Sequence, residues 1–339
     1  MEDLPPRIRL TGPVQTRSWT SATGVVERTE ERLLVRDLVR MVFFIPHDHF
    51  DIAPGVAYAL DSYLHAVERH VDALSTYTCC HWQPGELNPR GWQLIRETLD
   101  PRERRYLEDC DEDEARSLEK EGADPYFGIY GLRDSGYRFS YHARLPWRET
   151  PPGSVSILEV TLPTEYMRAH GAGRVRALAV DMASRLPFAS GHAGLALDVA
   201  SPCWERLTLL RPLIFRHPGF DIRGANIHDH LGTRVDGVHW MNFLSPSVLD
   251  ELGGAEALRA RIQSPDTTLD DMGSGRVVIA LGSEPEAGDL ERGLVLPAYR
   301  ELARWLELWQ EPFAWGFLHR QGRDNEAREL HRWWRRFLD

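Results

Sequence analysis

The chain has 339 residues, of which 42% are hydrophobic and 10% aromatic, enough apolar side chain to fill a sizeable core in one large domain or two intimate ones. A formal charge of −11 repels nucleic acid and attracts basic surfaces, which argues against direct DNA or RNA binding and for a basic protein partner. No run approaches the ~20 apolar residues that span a bilayer, MEDLPPRIRL lacks an apolar signal region, and four cysteines in so long a chain indicate a reducing compartment, so a cytoplasmic protein away from the membrane is expected.

Residues 1–32 are polar, carry Pro5, Pro6 and Pro13, and read as an N-terminal extension or edge hairpin. Leu33 to Ile45 (LLVRDLVRMVFFI) predicts a buried strand closed by Pro46. Val56, Leu60, Tyr63, Leu64, Val67, Val71 and Leu74 recur at helical spacing and predict a helix from Pro54 to Tyr77. Residues 84–125 are dense in charge and read as a solvated helical excursion. Tyr137, Phe139 and Tyr141 alternate with polar residues, the period of a half-exposed strand, and Val155 to Leu162 predicts a mostly buried one. Pro163 to Leu186 predicts a helix interrupted near Gly171-Ala172-Gly173.

Further strands are predicted at Gly191 to Val199, Val235 to Leu244 and Arg276 to Leu281, and helices at Pro202 to Phe215, Pro246 to Leu252, Ala255 to Ile262 and Pro297 to Gln310. Gly253-Gly254 suits a helix stop, and Asp324 is placed as the N-cap of a final helix within an aromatic tail, 312–339. The main domain is set at 33–311. Paired strands without regular helix alternation imply an α+β fold, a mostly antiparallel sheet packed with helices, compatible with two related α/β halves. The strand–helix–strand run from Val155 to Val199 would add a parallel pair or a split-βαβ unit.

The candidate chemistry is sparse. His47-Asp48-His49 and His228-Asp229-His230 could each offer two imidazoles to a metal, as a metal-dependent hydrolase would need, but no carboxylate cluster completes either triplet. Ser190-Gly191-His192 departs from a nucleophile elbow and reads better as a tight turn with a buried His192 bonded to backbone. Cys79-Cys80-His81 has no third group to support a thiolate. Phosphate-loop and dinucleotide fingerprints are absent, LGSEPEAGD has the wrong register for an EF-hand, and no cofactor or metal is expected. The strongest single-sign cluster is Glu108, Asp109, Asp111, Glu112, Asp113 and Glu114, read either as a solvated helix face or as a partner-binding patch that mimics DNA. Trp305, Trp309, Trp315, Trp333 and Trp334 crowd the tail, and any that are exposed would serve as interface anchors.

Several short blocks carry a resemblance: LPFASGHAGLALD (Leu186 to Asp198), RHPGFDI (Arg216 to Ile222), VDGVHWMNFLSPSVLDELGG (Val235 to Gly254) and LGSEPEAGD (Leu281 to Asp289), followed by Tyr299-Arg300 opening a helix. In kind and order they resemble a family of bacterial immunity proteins paired with type VI secretion effectors, notably VRR-type nucleases, across roughly Val35 to Glu311. The resemblance implies a non-enzymatic protein that binds and neutralises a cognate toxin effector, a nuclease with a basic active-site surface, by occluding its active site or substrate groove. It leaves a homodimer open and does not identify the toxin. A metal-dependent hydrolase built on the two His-Asp-His triplets is the alternative, and a scaffold within a polymorphic-toxin locus a third reading.

Overall fold

The computed structural model describes residues 5–21, 24–67, 73–79, 84–100, 112–113, 116, 125–132, 135–146, 150–199, 207–222, 228–313 and 322–339, with the backbone alone over 13–32. Among the described residues eleven strands form one antiparallel sheet: β1 (Arg9–Ser21), β2 (Gly24–Ile45), β3 (Thr76–Thr78), β4 (Gly85–Glu86), β5 (Tyr126–Tyr130), β6 (Arg138–His142), β7 (Ser156–Pro163), β8 (Ser190–Val199), β9 (Met241–Leu244), β10 (Thr267–Gly273) and β11 (Arg276–Leu281). Their order is β10-β11-β9-β8-β2-β7-β6-β5-β3-β4, with β1 paired to β2 outside that path. Nine helices accompany them among the described residues: α1 (His49–Val67), α2 (Pro89–Thr98), α3 (Thr164–His170), α4 (Ala172–Ser184), α5 (Leu207–Arg216), α6 (Pro246–Leu249), α7 (Gly254–Arg261), α8 (Pro297–Leu306) and α9 (Asp324–Trp334). This is the expected α+β class.

The spine is β2. Its C-terminal half pairs with β7 on one side and β8 on the other, while its N-terminal half pairs with β1, which continues the β7 edge from Arg9 opposite Arg36. Since β7 and β8 are both antiparallel to β2, they run parallel to each other with β2 between them, joined through α3 and α4: the split-βαβ unit. Alternation along β2 divides the sheet. Val39, Met41, Phe43 and Ile45 face a large core with Leu158, Val160, Ala193, Leu195, Phe139 and Phe243, covered by Ile52, Val56, Leu60 and Tyr63 of α1 and by Val175, Leu178 and Met182 of α4. Val42 and Phe44 point the other way, into a smaller cluster with Val155, Ile157 and Leu231 against which Trp334 packs. Between Arg36 and Val42 this second face is polar, and there the sheet carries its charged side chains.

Several boundaries depart from expectation. The first helix begins at His49, five residues before Pro54, because its opening turn is held from outside: His49 N donates to Arg144 O at 2.9 Å and Asp51 N to Asp48 O at 3.0 Å. Pro54 thereby falls inside the helix as its sixth residue, where it forgoes the amide bond back to Phe50 O. The expected strand over Val235 to Leu244 shrinks to β9, since the Asn242 side chain accepts from His239 N at 3.0 Å and donates to His239 O at 2.7 Å, folding the preceding residues into a loop. The break in the Pro163–Leu186 helix falls at Gly171, with φ of +82°. Asp324 lies inside the first turn of α9, one residue past the cap position held by Arg323. The edge strand β10 went unpredicted, its TTLDDMG carrying little apolar alternation.

The PGFD turn after α5 sits so close to the 286–287 loop that a Cβ at Gly219 would overlap Glu286 O and come within 2.9 Å of Ala287 Cα. Gly219→Ala is therefore expected to lower stability by roughly 2–3 kcal/mol. Gly173→Ala, at an open position on α4 with nothing within 4 Å, should raise it by up to about 1 kcal/mol. Urea unfolding of both variants checks the pair, and an unshifted midpoint for Gly219→Ala would show that the turn is free to move.

Candidate functional site

The polar face of the sheet gathers charge where an apolar core would otherwise continue. Arg40, 4% exposed on β2, places Nε 2.8 Å from Glu159 Oε1 on β7 and Nη1 3.1 Å from Asp221 Oδ2. Asp221 reaches this point because the turn after α5 is pinned to β8: Asp221 N donates to Leu195 O at 2.9 Å, Leu197 N donates back to Asp221 O at 2.8 Å, and Phe220 is fully buried beside them. His192 on β8 continues the row. Its Nδ1 lies 3.0 Å from Asp236 Oδ1, and its Nε2 lies 4.0 Å from Asp221 Oδ2. His239 Nε2 approaches the same Asp236 oxygen at 3.4 Å, and the two imidazoles stack at 3.6 Å and 11°. Glu159, Arg40, Asp221, His192, Asp236 and His239 thus form one buried polar row across three strands and two loops.

Toward β6 and β5 the row rises to the surface. Arg138 lies 3.6 Å from Asp198 and over the Tyr130 ring at 5.6 Å, while the Tyr126 and Tyr130 hydroxyls share a 2.8 Å hydrogen bond. Tyr126, Tyr130, Arg138, Ser140 and His142 are all half-buried, so side chains of one face run from buried charge to accessible aromatic and polar groups. A second network ties the N-terminus to the sheet. Buried Asp37 accepts from Ile8 N at 2.9 Å and from Arg9 and Thr164 Oγ1, and Glu165 accepts from Arg9 at 2.7 Å and Arg36 at 3.1 Å.

Electrostatics favours the charged forms of Arg40, Glu159 and Asp236. Burial opposes the charge on Arg40, but Glu159, Asp221 and Asp236 outweigh it and hold the guanidinium above its ordinary pKa. Burial likewise raises Glu159, and Arg40 with Arg138 brings it below the usual carboxylate range. Asp236 is depressed further, since His192 and His239 overcome its desolvation. Such a set can hold charge at fixed positions, fix a loop, or present nitrogen and oxygen donors to a cation.

The triplets singled out in the sequence do not converge on one centre. His49 Nδ1 lies 2.9 Å from the Tyr141 hydroxyl in the core, Asp48 binds Arg144 at 3.0 Å, and His47 is exposed. His228 Nε2 lies 3.1 Å from His142 Nδ1, and His230 Nε2 is 2.7 Å from Glu311. His192 is buried as expected, but its neighbours are carboxylates rather than backbone. Ser190 Oγ donates to Arg234 O at 2.8 Å, which ties the hydroxyl to a loop. Asp289 of LGSEPEAGD receives Arg216 at 3.0 and 2.7 Å. Of the acidic run, Glu112 and Asp113 are exposed and face Arg116 at 3.6 and 3.5 Å, while Glu108, Asp109, Asp111 and Glu114 lie outside the described residues, as do Cys80, His81 and Trp315. Arg40, Glu159, Asp221, Asp236 and His239 were missed. The available signal was a charged residue inside an apolar strand (Arg40, Glu159), one titratable residue in each of the blocks GHAG and PGFD, and two in VDGVHW.

A family model described as type VI immunity for VRR-NUC (TsiV) matches residues 58–337, reaching beyond the Glu311 limit of the sequence resemblance into the aromatic tail. Among solved structures the chain is similar to the Pseudomonas aeruginosa T6SS protein PA0821, with a TM-score of 0.67 and 17% identity over 91% of this chain and 85% of that one, a likeness of fold. No curated protein matches.

Two outcomes follow from the site. Arg40→Met leaves Glu159 and Asp221 buried without their guanidinium and is expected to cost about 3–5 kcal/mol, with Arg40→Met/Asp221→Asn recovering part of it in a denaturation cycle. Burial holds the His49 imidazole down to about 4, against a hydrogen bond to the Thr98 backbone that raises it. With the folded pKa below the unfolded value near 6.5, the unfolded chain takes up the extra proton, so stability declines as pH falls from about 6.5 to about 4, by roughly 3 kcal/mol from this group. Unfolding midpoints across that window should fall less steeply for His49→Gln than for the native chain. Equal slopes would show that His49 stays neutral in both states or charged in both.

Proposed function

The chain belongs to the TsiV family of type VI immunity proteins for VRR-NUC, and from that premise we propose that it binds a cognate secreted effector, a nuclease, and neutralises it by covering the active site or substrate groove. The family match over residues 58–337 carries this reading. The charge supports it. A nuclease groove is built for phosphates and is therefore basic, and a chain of formal charge −11 is attracted to such a surface. We read the chain as a binding protein rather than an enzyme, acting in the cytoplasm. Among the described residues no helix is long and apolar enough to cross a membrane.

The acidic run at Glu108, Asp109, Asp111, Glu112, Asp113 and Glu114 is our choice for the surface that steers the effector. Glu112 and Asp113 have side chains 97% and 92% exposed, where a rim charge governs encounter rate more than final affinity. The half-buried Tyr126, Tyr130 and Arg138 carry the residue types that dominate interface energies.

Expression of a cognate VRR-NUC effector should arrest a bacterial host, and co-expression of this chain should restore growth with recovery of a stable complex. Absence of both rescue and complex would overturn the reading. Within a recovered complex, Glu112→Lys/Asp113→Lys is expected to slow association several-fold at low salt and to change it little at high salt, as stopped-flow mixing would show.

A further inference from the structure

We propose that His192, Asp221, Asp236 and His239 form a structural site for one divalent transition metal of the zinc class. One donor atom from each residue lies within 4.8 Å of the others, and all four residues are between 1% and 3% exposed. Two imidazoles and two carboxylates suit zinc, a borderline ion that takes nitrogen and oxygen ligands in a closed tetrahedron.

The donor separations are compatible with an ion held between them. Around a tetrahedral centre with bonds of about 2.0–2.1 Å, neighbouring donors sit about 3.3 Å apart. The separations from Asp236 Oδ1 to His192 Nδ1 and to His239 Nε2 are 3.0 and 3.4 Å, on either side of that value. Yet among the described residues Asp236 is the one carboxylate within 3.4 Å of these rings, and neither ring nitrogen of His192 nor Nε2 of His239 meets it, or any other described residue, at good hydrogen-bond angles. Buried imidazole nitrogens left without a hydrogen bond are costly, and coordination removes that cost.

Charge and supporting contacts agree. Three buried carboxylates, Glu159, Asp221 and Asp236, meet around Arg40, Arg138 also acts on Glu159, and a dication would match the charge of the two carboxylates that ligate it. Arg40 Nη1, 3.1 Å from Asp221 Oδ2, and the Asn242 side chain, closed on the His239 backbone, orient the ligand-bearing segments as outer-shell partners do. The four ligands come from β8, from the PGFD turn and from the loop before β9. An ion there would clamp both connections to the sheet. With four protein donors and no position left open, the role is structural, independent of how the effector is bound.

The test uses the full chain, stripped by chelator and equilibrated with zinc chloride or with cobalt chloride as a spectroscopic probe. Mass spectrometry should find about one zinc per chain. Zinc at 100 times its Kd should shift the unfolding equilibrium about 100-fold toward the folded state. The cobalt form should show the intense visible absorption of a four-coordinate site. His239→Gln and Asp236→Asn should each weaken binding about 100-fold, whereas His230→Gln, outside the cluster, should not change it. Zinc far below one per chain, binding that survives both ligand substitutions, or a weak six-coordinate cobalt spectrum would each overturn the proposal. The native-chain measurements decide it even where a ligand variant does not fold.

Discussion

Arg40 is the point at which separate parts of the chain are made to agree. It stands on the central strand with Glu159 of one neighbouring strand and Asp221 of a turn 181 positions away, both within 3.1 Å. A buried guanidinium is tolerated only where enough acceptors converge on it, so its burial requires β7 to be in register and the PGFD turn to be docked on β8. An ion pair of this kind adds little net stability against an apolar replacement, because desolvation absorbs most of the Coulomb gain. What it supplies is intolerance of alternatives. A one-residue slip of β2 would turn Arg40 into the apolar core and Val39 or Met41 into the polar row.

The blocks that carry the family resemblance act on this row as holders. GHAG delivers His192 to the polar face by strand alternation, PGFD delivers Asp221 through two backbone hydrogen bonds to β8, and VDGVHW delivers Asp236 and His239 from a loop braced by Asn242. Their glycines and aromatics make close approach possible and fill the space around it. Architecture and polar cluster are therefore two aspects of the same short segments.

This division explains what the sequence made legible. Strands buried on both faces announce themselves as apolar runs, and β2, β7, β8 and β11 were readable for that reason. The helix break at Gly171 and the apolar stripes of α1, α4, α8 and α9 were readable too, since period and glycine act locally. The ends were less so. The start of α1 depends on Arg144 O, and the short β9 depends on a side chain bonding backward to its own loop, contacts that no period records. The polar row was hidden for a related reason. Arg40, Glu159, His192, Asp221, Asp236 and His239 are scattered from position 40 to 239, and only the strand order brings them together. The His-Asp-His triplets showed the opposite error, since proximity in sequence there did not produce a shared centre.

The free edges of the sheet bear on how a partner can be recognised. A partner can add a strand to an open edge, or it can read side chains. Here β4 is two residues long, and β10 carries Asp270 and Asp271, with Asp270 held by Arg176 at 2.6 Å. The long outer strand β1 contains Pro13 and is broken by register shifts between Leu10 and Thr11 and between Val14 and Arg17. Shortness, charge, proline and bulges are the devices that spoil an edge as a template. Strand addition is thus disfavoured at β4, β10 and β1, which leaves side chains as the other means of recognition. The half-buried tyrosines and Arg138 of β5 and β6 lie at the accessible end of the face whose buried end Arg40 fixes, so the rigidity imposed at the centre sets the positions of the groups that face outward.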